Sequence, residues 1–111
     1  MAGTIKRLAG PLALTTVMTT NIYNNPSALI YDVVRHIHID NKLAADTFNL
    51  YLGATGGNVA GTELFFQYAI AAKAAFDYYT MLKLLSTDFL VGGAATTLTL
   101  VITIEGEQYV V

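Results

Sequence analysis

The sequence predicts an all-β chain, an antiparallel β-sandwich or jelly roll of about eight strands forming one domain over residues 1–111. Three observations carry this. Apolar and polar residues alternate with a period of two in several segments, most cleanly near the C-terminus. The segments are rich in Val, Ile, Thr, Tyr and Phe, which favour a pleated, half-buried surface. Glycine, proline and asparagine clusters break the chain at short intervals.

The elements follow in order. "TIKRLA" (Thr4 to Ala9) reads as a first strand ended by Gly10-Pro11, and "LALTTVMTTNIY" as a second, closed by Asn24-Asn25-Pro26. "ALIYDVVRHIHID" (Ala28 to Asp40) is a long β-branched run. Simple alternation puts Val33, Arg35, Ile37 and Ile39 on its inner face and Val34, His36, His38 and Asp40 on its outer face. Arg35 is awkward inside and marks a place for a bulge. In "DTFNLYLGA" (Asp46 to Ala54), Phe48, Leu50 and Leu52 face one way and Thr47, Asn49 and Tyr51 the other. "GATGGNVAGT" reads as a glycine-rich loop, followed by the strand-like "ELFFQYAI".

"IAAKAAFDYYTMLKLL" (Ile70 to Leu85) fits two patterns. Lys73, Asp77, Thr80 and Lys83 would line one side of a helix, whereas Phe76, Tyr78 and Tyr79 favour a strand. In "TTLTLVITIEGE", Leu98, Leu100, Ile102 and Ile104 share one face; Thr97, Thr99, Thr103 and Glu105 share the other, with Val101 the exception. Gly92-Gly93 before it reads as a hairpin turn joining it to "DFLV".

Composition narrows the function classes. Apolar residues make up 54% and charged residues only 13%. An ordinary soluble domain carries about 25% charged residues, so this chain predicts a surface covered by lipid or by other protein. The longest uncharged run near the C-terminus, Phe89 to Ile104, is interrupted by glycines and falls short of the roughly 20 apolar residues of a spanning helix. Lys6-Arg7 before an apolar stretch resembles the start of a signal peptide, but Pro11 and the threonines after it do not fit, so no targeting segment is read. The net charge of −2 without a basic cluster points away from nucleic acid. The absence of cysteine excludes disulfides and thiolate chemistry. The reading that remains is a subunit of an assembly.

The order of segments resembles a group of small virion proteins of tailed bacteriophages. The resemblance rests on "ALIYDVVRHIHIDN", with its V-x-x-I-x-I-x-N strand, then "DTFNLYLGATGG", "GTELFFQYAIAAKAAFDYYTMLKL" and "TDFLVGGAATTLTLVITIEGE", after a "KRLAGPLALTT" start. It covers nearly the whole chain and contains no catalytic signature. It implies a β-sandwich or jelly-roll subunit of the virion, assembled in the host cytoplasm: a head decoration (cement) protein, or a neck or tail accessory protein. It implies self-association as a trimer or dimer and contacts to the major capsid protein. It also implies a strand at "FDYYTMLKL". The Ala-rich "AIAAKAAF" departs from the group's usual turn and leaves room for one short helical turn near Ala71–Ala75.

The candidate site residues follow from facing. His36 and His38, the only histidines, fall on one side of one strand with Asp40. Two imidazoles about 7 Å apart along a strand can converge on one ion. However, three successive same-face residues fan out in a row, and no other histidine or cysteine completes the set. No metal and no cofactor are therefore predicted, and the pair is read as a polar strip at a subunit contact. Adjacent aromatics in "LFFQY" and "FDYY" must face opposite sides, so some large rings point outward. The predicted interface residues are His36, His38, Tyr51, Phe66, Tyr68 and Tyr79, with a protein contact preferred over a sugar-stacking platform. The glycine-rich loop lacks the P-loop pattern, and no serine–histidine–aspartate arrangement stands out. The expectation is a protein that is not an enzyme.

Overall fold

In a computed structural model the chain forms eight strands, described over residues 3–53 and 62–110. They are β1 (Thr4–Ala13), β2 (Asn21–Tyr23), β3 (Ile30–Asn41), β4 (Asp46–Gly53), β5 (Glu63–Ile70), β6 (Ala75–Leu84), β7 (Phe89–Ala94) and β8 (Leu100–Val110). Two four-stranded antiparallel sheets have the orders β1-β8-β3-β6 and β2-β7-β4-β5. The first strand pairs with the last, the second with the seventh, the third with the sixth, and the fourth with the fifth. This is one long antiparallel hairpin rolled over itself, the jelly-roll topology. Among the described residues there is no helix, and so none long and apolar enough to cross a membrane.

Alternation explains the core. Leu100, Ile102 and Ile104 of β8 and Ile37 and Ile39 of β3 point inward from one sheet. Phe48 and Leu50 of β4 and Leu90 of β7 meet them from the other, and Leu14 and Ile22 join the same cluster. The shortest dimension is 18 Å, the thickness of two sheets about 10 Å apart over a single layer of side chains.

Several expectations are corrected. The inner face of β3 changes phase at Arg35, where the register shifts against both neighbouring strands. Val34, not Val33, is therefore core, and Arg35 and His36 both face outward. The first strand does not stop at Gly10-Pro11 but continues to Ala13 through a cis peptide bond and two register shifts. Gly92 and Gly93 make no hairpin. They lie inside β7, whose neighbours are β2 and β4 in the sheet opposite β8. A side chain on Gly92 would run into the Asn49 carbonyl, and one on Gly93 would sit 2.6 Å from the Thr15 carbonyl oxygen. The glycine pair thus serves close backbone approach. Leu98 falls outside β8, in the turn before it, and is exposed. Ala71–Ala74 is a tight turn closed by the Ala74 N–H on the Ala71 carbonyl, with Lys73 at positive φ, rather than a helical turn. Most of the glycine-rich loop lies outside the described residues.

A part-buried polar pair ties β2 to β3. The Tyr23 hydroxyl donates to Asp32 Oδ2 at 2.6 Å, while Asp32 Oδ1 is buried without a partner among the described residues. Burial, then the Asp32 hydrogen bond, pushes the Tyr23 hydroxyl from 10.0 up to about 12. Because the folded chain holds this proton more tightly, its stabilisation is complete below pH 10 and is lost as pH rises toward 12. Phenolate absorbance of the native protein minus that of Tyr23→Phe should show a component with its midpoint near 12. A difference titrating near 10 would exclude the pair.

Candidate functional site

Among the described residues, histidine, charged and aromatic side chains cluster on the outer face of the β1-β8-β3-β6 sheet. β3 is an interior strand, held by β8 on one side and β6 on the other. Its outer positions past the Arg35 shift are His36, His38 and Asp40. In the register, His38 lies opposite Asp77 of β6, and His36 lies opposite both Tyr79 of β6 and Glu105 of β8.

These side chains meet. His36 Nε2 and His38 Nδ1 each lie 2.7 Å from the same oxygen, Asp77 Oδ1. His36 Nδ1 faces Glu105 Oε1 at 3.3 Å. The Tyr79 ring stacks on His36 with centroids 4.5 Å apart and planes within 4°. Hydrogen bonds from His38 and then His36 hold the Asp77 carboxyl below the usual carboxylate range. The cluster's stabilisation is thus present above that range and is lost as pH falls through the lowered value. All three members are partly open to solvent, their side chains 22–39% exposed.

Beside the cluster, Arg35 pairs with Glu107 at 3.4 Å, and the Tyr109 hydroxyl donates to Glu107 at 2.6 Å. That bond raises the Tyr109 hydroxyl above its ordinary value. Tyr31 stacks on Tyr109, and Lys83 Nζ lies 4.5 Å from the Tyr31 ring centre. A shallow pocket of about 270 Å³ opens next to the Arg35 shift, lined by Ile5, Arg35, Glu105, Gly106 and Glu107.

Of the predicted interface residues, His36, His38 and Tyr79 come together on this face, with Tyr79 exposed. Phe66 is exposed on β5, an edge strand of the other sheet. Tyr68, on the same strand, is open on one side and packs its ring on Phe48 and Phe76. Tyr51 is corrected: it is buried opposite Val91, and its hydroxyl accepts from Asn49 Nδ2 at 2.9 Å. Parity placed it on the outer side of β4, but that side is covered too.

Asp40 shares the outer face yet stays outside the cluster, since its cross-strand neighbours are Ala75 and Val101. The residues that complete the site, Asp77 and Glu105, sit in no recognisable acid/base motif in the sequence. The readable signal was that Asp77 shares a strand face with Tyr79; which strand it would lie against was not readable. No protein-family model, curated protein or solved structure matches the chain.

Proposed function

We propose that the chain is a non-enzymatic structural subunit of a tailed-bacteriophage virion, a capsid decoration protein that binds the assembled shell. The observation that carries this reading is the exposed apolar surface. Ile5, Tyr79 and Met81 are 84, 73 and 76% exposed, and Phe66 on the other sheet is 60% exposed, in a chain with only 13% charged residues. Large apolar side chains standing open on both sheets support contact with other protein. The jelly roll is shared by viral shell subunits, lectins and cupins, so the fold agrees with this reading without selecting it. A cupin-like enzyme has less support: His36 and His38 face outward, and the space between the sheets is filled by the apolar core.

The mechanism is linkage. A protein that binds the assembled shell and not its separated subunits stabilises assembly by mass action. Self-association about a symmetry axis, as a dimer or trimer, would cover one apolar face and leave the other for the major capsid protein. Light scattering should give a multiple of the chain mass, and the protein should sediment with assembled shells but not with free capsid subunits. Tyr79→Ser with Met81→Ser should weaken self-association or shell binding by about 100-fold, as expected of an aromatic anchor and its neighbour. Sedimentation with tails instead of shells would reassign the chain to a neck or tail accessory role. A strictly monomeric protein that binds neither would overturn the reading.

A further inference from the structure

We propose that His36 Nε2, His38 Nδ1 and Asp77 Oδ1 bind one divalent transition-metal ion, with zinc as the reference case. The inference goes beyond the assembly reading and does not rest on it. His36, His38 and Asp40 alone fan out along one strand and cannot surround an ion. The fold supplies the third ligand from the next strand. Asp77 lies directly opposite His38, and one ligand atom from each of the three residues falls within 4.8 Å of the others. Ligands held at about 2.0–2.2 Å around one ion stand roughly 3–3.5 Å apart, so the two 2.7 Å contacts to Asp77 would lengthen modestly as the ion enters between them.

Four further features fit a metal better than a chance hydrogen-bond cluster. One carboxylate oxygen receives two imidazoles, an arrangement in which one cation would face all three donors. The remaining nitrogen of His36 faces Glu105, the outer carboxylate that commonly fixes the tautomer of a metal-bound imidazole and raises its basicity. The frame is also rigid, because β3 is paired on both sides and Tyr79 stacks flat on the His36 ring. Nearby charge favours a cation as well, since Asp77, Glu105 and Glu107 outnumber Arg35.

The donor set selects the kind of ion. Two imidazoles and a carboxylate suit zinc, copper, nickel or ferrous iron, whereas magnesium and calcium prefer oxygen-only sets. Three protein ligands leave at least one coordination position, and here it opens outward, where water or an acidic group of a partner can enter.

The test uses the full chain stripped with a chelator and then titrated with zinc chloride by calorimetry. One ion per chain is expected, with no displacement by excess magnesium. His38→Ala and Asp77→Asn should each weaken binding by about 100-fold or more, and Glu105→Gln by about 10- to 100-fold. Because His36 and His38 are the only histidines, their ring nitrogen resonances give a readout that needs no variant, and both should shift together on adding zinc. Circular dichroism checks that each variant keeps its strand spectrum. Absence of stoichiometric binding, unmoved histidine resonances, or an affinity unchanged in His38→Ala and Asp77→Asn would each overturn the proposal.

Discussion

Ile37→Asp is expected to abolish folding. Ile37 is fully buried between its cross-strand neighbours, Ile104 on β8 and Tyr78 on β6, inside the one layer of core side chains. A carboxylate there loses water and gains no donor, at a cost of several kcal/mol. The isoleucine's own burial, about 2–3 kcal/mol, is lost as well. A domain stable by about 5–15 kcal/mol has little left after both terms. The same experiment tests the phase change in β3. Val34→Asp should be as damaging as Ile37→Asp, because Val34 is fully buried. Val33→Asp should be tolerated, because Val33 stands on the outer face opposite Glu107 and Lys83. Urea unfolding followed by circular dichroism separates the three variants. A cooperatively unfolding Ile37→Asp, or a Val33→Asp as damaged as Val34→Asp, would show that the facing is wrong.

The contrast between Val33 and Val34 marks what could and could not be read from the chain. Uninterrupted alternation was legible: Leu100, Ile102 and Ile104 all face the core, as their period requires. Likewise Phe65 packs inward while Phe66 is exposed, and Tyr78 packs inward while Tyr79 is exposed. Once β3 shifts register at Arg35, a period of two carried through the shift puts Val33 and Val34 on the wrong sides. Pairing was the other gap. The site depends on β3 lying between β8 and β6, contacts between residues far apart in sequence. His36 meets Glu105 only because β8 returns beside it, and His38 meets Asp77 only because β6 does. Local pattern shows which face a residue takes but not which strand lies next to it. For the same reason Gly92-Gly93 looked like a turn, when its role is set by the backbone of Asn49 and Thr15 crossing nearby.

Gly106→Ala is the second substitution with a large expected effect, and it acts where fold and site join. Gly106 is buried in β8, opposite Val34 at the register shift. A methyl group there would press into the Val33 carbonyl oxygen, well inside van der Waals contact, with Leu8 Cδ1 only 3.1 Å away as well. The main obstacle is backbone, so no rotamer change relieves it and β3 must move away from β8. Overpacking of this kind costs on the order of 3 kcal/mol. The urea midpoint should fall with an unchanged slope, the mark of lost stability without loss of the two-state transition. Gly53→Ala is the matched control: the added methyl meets nothing within 4 Å among the described residues, and stability should stay near wild type. Glu105 precedes Gly106 and reaches His36 across the β3–β8 pair, so displacement of β3 should also lengthen that contact. A Gly106→Ala protein with the wild-type midpoint would mean that β3 and β8 do not approach so closely here. The outward placement of both Arg35 and His36, which depends on that close-packed shift, would then need another cause.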